Sequence, residues 1–288
     1  MSDSSHPRPA AVVIASPANP RLRAAAALRE RRERDRLGLI LVDGTREVAR
    51  ALEGGLAIEE VFVPVALAGP DPPAEARTLV AALRSAGVAL VMVEPAAMRR
   101  LAFGDRTAEP VAVAVPPSAD LRSLVLPADA LVVVLEGVEK PGNLGAIVRS
   151  ADGAGAHAVI VAGGPIDPWN PNAIRASLGT VFSMQIGVGP SVEVLAWLRA
   201  AGLRPFAARV DGAVVYTAAD LAGPTALVLG GEALGLSEAW QGSDISAIRL
   251  PMRGRADSLN VAATAAILLY EARRQRDASA GQAVEPRP

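Results

Sequence analysis

The residues best suited to chemistry stand in three stretches, each following an apolar run. LEGVEKPGNLGAIVRS (135–150) carries Asn143 and Arg149. ALVLGGEALGLS (226–237) carries Leu229, Gly230, Gly231 and Glu232. LPMRGRADSLNVAATAAILLYEARR (250–274) carries Leu250, Met252, Arg253, Arg255, Ser258, Leu259 and Asn260. Each reads as a strand, a turn with glycine or proline, and a helix start, the junction where α/β proteins bind ligands. Arginine stays protonated at any working pH, so Arg149 suits an anion or a developing oxyanion better than proton abstraction. Asn143, Ser258 and Asn260 offer neutral hydrogen-bonding groups. Ser258 also fits the N-cap of a helix expected over 259–274. Glu232 fits two roles: an anion capping a helix near Leu234, or a carboxylate orienting Arg149 or Asn143. Glycines at 230 and 231 allow close approach of a ligand to the backbone. GGEALG lacks both the G-x-G-x-x-G spacing of a dinucleotide site and the G-K-[ST] ending of a P-loop.

Other chemistries find little support. There is no cysteine, which excludes disulfides and thiolate chemistry, and the two histidines, His6 and His157, are too few for most metal sites. No metal is expected. Glu136 and Glu139 do not read as a catalytic acid/base pair. Half the residues are hydrophobic (51%), enough for a sizeable core, and aromatics are only 3%, so Ala, Val and Leu must fill it. Lys140 is the sole lysine among 29 basic residues. The net charge of −1 means that nucleic-acid binding needs local basic patches. The richest is RLRAAAALRERRERDRL (21–37), with seven arginines, including Arg21 and Arg23. It reads either as one solvated helix laced with pairs such as Glu30–Arg34 or as a phosphate-contacting face. No apolar run reaches membrane-spanning length and no segment reads as a signal peptide, so a cytoplasmic protein without membrane contact is expected.

These residues require a scaffold. Residues 1–17 read as a flexible arm with a short apolar piece at 12–14. Strands are expected at 39–42, 58–63, 88–93 and 111–115, with helices at 21–37, 45–52, 74–86 and 95–101. The proline-bearing stretch 117–128 reads as a linker between a small domain (18–116) and a larger one (129–275). In the latter, strands are expected at 130–135, 158–162, 181–188, 204–209, 226–229 and 246–250, with helices at 144–154, 171–178, 192–201 and 259–274. Residues 276–288 read as a disordered tail. The alternation predicts an α/β fold whose C-terminal sheet is mostly parallel with helices on both faces.

In their order, the three stretches resemble the motifs of the SpoU/TrmH family of SPOUT-class RNA methyltransferases. Asn143, Gly145 and Arg149 match the first; Gly230, Glu232, Gly235 and Leu236 the second; Leu250, Pro251, Met252, Ser258, Leu259, Asn260 and Val261 the third. LVDGTREVARAL (41–52) resembles, more loosely, the L30e-like substrate domain that precedes many such catalytic domains. The resemblance implies a deep trefoil knot, a homodimer with active sites built across the interface, and S-adenosylmethionine as cofactor. Leu229, Gly230, Gly231, Leu250, Met252, Ser258 and Leu259 would frame the cofactor. Arg149 would be the central catalytic residue, with Asn143, Glu232, Ser258 and Asn260, and would serve the cofactor held by the other chain. RNA would lie on Arg21, Arg23, Arg253 and Arg255. The implied reaction is 2′-O-ribose methylation of RNA. The substrate expected is 23S ribosomal RNA, with drug resistance as one role; transfer RNA, or a non-catalytic RNA-binding protein of the same fold, is the alternative.

Overall fold

The computed structural model describes residues 13–281 apart from Pro165 and Ala233. The expectations for residues 1–12 and 282–288 therefore lie outside the described residues. The chain divides into two compact units between Pro116 and Pro117.

The first unit runs β1 (Val13–Ile14), α1 (Pro20–Ala27), α2 (Arg31–Leu37), β2 (Ile40–Asp43), α3 (Thr45–Glu53), β3 (Ile58–Pro64), α4 (Ala74–Ser85), β4 (Ala89–Val93), α5 (Pro95–Met98) and β5 (Val111–Ala114). Its five strands are ordered β1-β4-β3-β5-β2. β1, β4 and β3 are parallel, and β5 is antiparallel to both its neighbours. Val13 and Ile14, expected in a flexible arm, are thus a paired edge strand. Leu22, Leu28, Leu41, Phe62, Val93, Met98 and Leu101 fill the core.

The single helix expected over 21–37 is two. The N–H groups of Leu28, Arg29 and Glu30 bond three residues back, to Ala25, Ala26 and Ala27, and the chain turns there. A break of this kind leaves carbonyls without helical partners. Arg34, 4% exposed, supplies them: its Nη1 donates to the carbonyls of Leu28 (2.8 Å) and Arg29 (2.7 Å). Arg29 donates to the carbonyls of Leu101 and Ala102, and its guanidinium lies 4.7 Å from the Phe103 ring centroid. Two arginines of the expected solvated face are therefore part of the fold.

The second unit runs β6 (Leu131–Glu136), α6 (Pro141–Gly153), β7 (Ala158–Ala162), α7 (Pro171–Ala176), β8 (Gln185–Gly189), α8 (Ser191–Ala200), β9 (Arg204–Ala208), β10 (Val214–Val215), β11 (Thr225–Gly230), β12 (Ser246–Arg249) and α9 (Val261–Ala280). Its seven strands, ordered β10-β12-β9-β11-β6-β7-β8, are parallel throughout. β6, β7 and the first five residues of β11 are buried at every position, as parallel strands covered on both faces must be.

Local differences from expectation have local causes. β8 starts at Gln185 rather than 181, because Leu178 and Gly179 take positive φ and a 3₁₀ turn at Thr180–Phe182 follows. The 117–128 stretch is packed onto β8: Asp120 bridges to Val188, and the Leu121 side chain covers Gly187 and Gly189. α9 starts at Val261 with Asn260, not Ser258, as its N-cap; Asn260 Oδ1 accepts from Ala262 N at 2.9 Å. It ends at Ala280, so residues 276–280, expected to be disordered, are helical. Arg276 explains this by donating to the carbonyls of Asp129 (2.5 Å), Ala130 (3.2 Å) and Gly223 (2.5 Å). Among the described residues, no helix is long and apolar enough to cross a membrane, and no group of acidic or histidine side chains could hold a metal.

Candidate active site

A cavity of about 320 Å³ opens at the carboxyl ends of β9, β11 and β12. Leu229, Gly230 and Gly231 enter it from the end of β11 and the residue after it, and Ala208, Arg209, Val210 and Asp211 from the end of β9 and the residues after it. Leu250, Met252, Asp257, Ser258 and Leu259 come from the irregular chain between β12 and α9, and Val261 and Thr264 from the first turn of that helix. All seven residues expected to frame the cofactor line this one cavity.

The glycines work differently from expectation. A Cβ on Gly230 would stand 2.3 Å from the carbonyl carbon of Gly235, and one on Gly231 would stand 2.1 Å from the carbonyl oxygen of Gly137. These positions are bare because three backbone segments cross there, and both glycines also line the cavity. Likewise Gly145 admits α7, since its Cβ would lie 2.4 Å from the Ala173 oxygen.

At the rim the three motif segments meet on one carboxylate. Glu232 Oε2 accepts from Lys140 Nζ at 2.7 Å. Glu232 Oε1 accepts from Asn143 Nδ2 at 3.1 Å and from Asn260 Nδ2 at 3.0 Å. Asn260 Nδ2 also lies 3.3 Å from Asn143 Oδ1. The ammonium of Lys140, then the Asn143 amide, hold the Glu232 carboxyl below the usual carboxylate range. Glu232 caps no helix: Gly231 and Gly235 bridge to each other, and no helix starts near Leu234 among the described residues. It accepts a hydrogen bond from Asn143, one of its two expected targets, and makes no hydrogen bond or ion pair with Arg149.

Arg149 lies elsewhere. Six residues along α6 is about 9 Å of rise and about 120° of rotation from Asn143, so the two do not share a face. Arg149 is exposed, is absent from the cavity lining and makes no hydrogen bond or ion pair among the described residues. Arg253 and Arg255 are in the same state, on the loop beside the cavity. Arg21 pairs with Glu60, while Arg23 is exposed.

Sequence reading missed five contributors. Lys140 was noticed for its rarity, not its place. Arg209 and Asp211, a bidentate pair (2.9 and 2.8 Å), and Asp257 line the cavity. The position of 209–211 at a strand's carboxyl end was the available signal. Glu136, 8% exposed at the end of β6, accepts from the Ser191 hydroxyl, from Ser237 N (2.6 Å) and from Ser237 Oγ (2.9 Å). Burial opposes its charge, but these donors outweigh burial and hold its carboxyl low. The link ties β6, the start of α8 and the end of the Glu232 loop together.

The lining fits a ligand with an apolar body and a positive charge. Leu229, Leu236, Leu250, Met252 and Leu259 offer apolar surface, and with Asp211 paired to Arg209 and Glu232 to Lys140, Asp257 is the lining carboxylate without an ion pair among the described residues. S-adenosylmethionine, with its adenine and its sulfonium, has that character.

Comparison with known proteins agrees. Residues 130–270 match the SpoU rRNA Methylase family, and residues 19–112 match the MRM3-like substrate binding domain. A 23S rRNA (uridine(2479)-2′-O)-methyltransferase of Streptomyces viridochromogenes is 36% identical over 264 residues, spanning 87% of this chain and 88% of that protein. The crystal structure of an RNA 2′-O ribose methyltransferase superposes with a TM-score of 0.79 at 42% identity, over 92% of this chain and 99% of that one. The SpoU methyltransferase AviRb of Streptomyces viridochromogenes, in complex with the cofactor AdoMet, gives 0.80 at 34% identity, over 90% and 98%. Two-unit architecture, cavity, three-motif rim and these likenesses together make the chain a member of the SpoU/TrmH family of S-adenosylmethionine-dependent RNA 2′-O-methyltransferases.

Proposed function

We propose that the chain methylates a ribose 2′-hydroxyl of 23S ribosomal RNA. The observation that carries this is the meeting of Asn143, Glu232 and Asn260 at the rim of a cavity lined by Leu229, Gly230, Gly231, Leu250, Met252, Ser258 and Leu259. Bound there, S-adenosylmethionine supplies an electrophilic methyl group. Leu229, Leu250 and Leu259 hold its apolar part, and Asp257 favours its positive charge. A ribose hydroxyl is almost wholly protonated at neutral pH, so its attack needs the developing alkoxide to be stabilised. Arg149 does this as a permanent cation while gripping the adjacent phosphate. Glu232 positions Asn143 and Asn260, which orient the ribose together with Ser258. Arg23, Arg253 and Arg255 contact RNA phosphates.

The active unit is a homodimer in this reading. Arg149 lies outside the cavity of its own chain, and α9 leaves Ile267 (37%) and Tyr270 (54%) exposed one turn apart. An apolar stripe of this kind suits burial against a second copy, whose Arg149 then completes the site. The ribosomal substrate rests on the match of residues 19–112 to a substrate-binding domain and on likeness to a 23S rRNA enzyme along both units. Protection of the ribosome from a drug is part of the same proposal.

Labelled methyl transfer to purified 23S rRNA and, separately, to transfer RNA tests the reading, with Arg149→Ala alongside. Label in ribosomal RNA at one alkali-resistant site, lost in the variant, supports it. Label in transfer RNA alone would overturn the substrate, and absence of cofactor binding would overturn the activity.

A further inference from the structure

Lys140 is the only lysine in a chain with 29 basic residues, and it stands at the rim of the site. Its side chain is 71% exposed, so its ion pair with Glu232 contributes little to stability. Its chemistry differs from that of arginine in one way that matters here. An ammonium is a compact donor that engages one oxygen, whereas a guanidinium fork matches both oxygens of a carboxylate. Glu232 has both oxygens in use: Oε2 takes Lys140, and Oε1 takes Asn143 and Asn260 together. A fork at position 140 would claim Oε1 as well and displace the two amides. Lys140 is also the N-cap residue of α6, next to Pro141, so its backbone direction is set by the helix that carries Asn143.

We propose that Lys140 is a positioning residue for methyl transfer, whose single-point contact with Glu232 Oε2 leaves Oε1 free to hold Asn143 and Asn260 in register. This rests on the methyltransferase reading above. It assigns position 140 a requirement for lysine itself and not merely for positive charge.

The test compares Lys140→Arg and Lys140→Ala with wild type in steady-state methyl transfer to 23S rRNA. Both variants should lose ~10- to 100-fold in kcat, the scale of a small misplacement at a reacting centre. KM for RNA and Kd for the cofactor should stay within about 2-fold, since neither ligand is held by this contact. Wild-type kcat in Lys140→Arg would overturn the proposal by showing that charge alone suffices, and wild-type kcat in Lys140→Ala would overturn it outright. A second measurement is independent of turnover. Reductive ¹³C-methylation labels the one lysine and the terminal amine, and NMR follows each through its titration. Contact with Glu232, with Glu139 nearby, raises the Lys140 pKa above an ordinary lysine's. Glu232→Gln should lower it, and no change between the two would show that the contact is absent. If wild type methylates no RNA while this titration behaves as expected, the proposed function fails and the contact stands.

Discussion

The basic helices α1 and α2 and the α6–α9 region of the second unit carry the same cation to different ends. Between residues 21 and 37, Arg21 pairs with Glu60, Arg31 with Asp35 and Arg36 with Glu33, while Arg29 and Arg34 bind backbone carbonyls. Around the second unit's site, Arg149, Arg253 and Arg255 are exposed and have no partner among the described residues. Arginine density is therefore a poor guide to an RNA surface. In the proposed reading, a binding arginine is one whose donors the fold leaves unused, a description that Arg23 in the first unit also meets.

Mutations can break this comparison. The largest effect belongs to Arg149→Ala, which should reduce methyl transfer by ~10²- to 10³-fold, the cost of removing one group that stabilises an oxyanion. Arg36→Ala, which removes only an exposed pair, should leave the rate unchanged. Stability should order the other way. Gly231→Ala forces a methyl against the Gly137 carbonyl and should cost ~1–3 kcal/mol in chemical denaturation of the second unit. Arg34→Met strands two carbonyls and should cost ~1–3 kcal/mol in the first. Arg32→Ala, at an exposed position, should stay within ~0.5 kcal/mol.

Asn260→Ala sharpens the contrast, because this residue caps α9 and, in the proposed reading, also serves the site. It should cost about 1 kcal/mol as a lost N-cap and also lower kcat, whereas Asn143→Ala should lower kcat with little change in stability. Arg253→Ala and Arg255→Ala should each reduce the slope of log K against log salt for RNA binding by about 0.7, with cofactor affinity unchanged.

The smallest effect is a pH dependence. Burial holds the His157 pKa below its ordinary value, and Nδ1 accepts from Leu131 N at 3.0 Å, so the folded state favours the neutral ring. The unfolded chain then binds the proton more tightly. Stability should be full above the ordinary histidine range near 6.5 and fall as pH drops through it toward the folded pKa. A denaturation midpoint followed from pH 8 to 5 reads this out, and a His157→Gln variant should flatten that portion of the curve.

Much of the molecule was legible from residue order alone. β7 spans the predicted 158–162, and most other strands start and stop within a residue or two of expectation, because apolar runs bounded by glycine, proline or charge are local signals. The three motif segments were legible for the same reason. The failures share a different cause. The break at 28–30 depends on Arg34 reaching carbonyls five and six residues back, and on Arg29 reaching Leu101, 72 residues away. The helical end of α9 depends on Arg276 reaching Asp129, 147 residues away. A tail of small and polar residues looks disordered until its one anchoring guanidinium finds carbonyls.

The sequence by itself determined where most strands form, which residue types could bind a cofactor and which three segments carry them, since each is set by neighbours a few positions apart. Only the tertiary structure decided the uses of individual side chains. It assigned Gly230 and Gly231 to backbone crossings, Asn260 to the cap of α9, and Glu232 to a rim shared with Lys140 and Asn143. The contacts of that rim join residues 28 to 117 positions apart, and a hydrogen bond at 3 Å leaves no trace in the order of the chain.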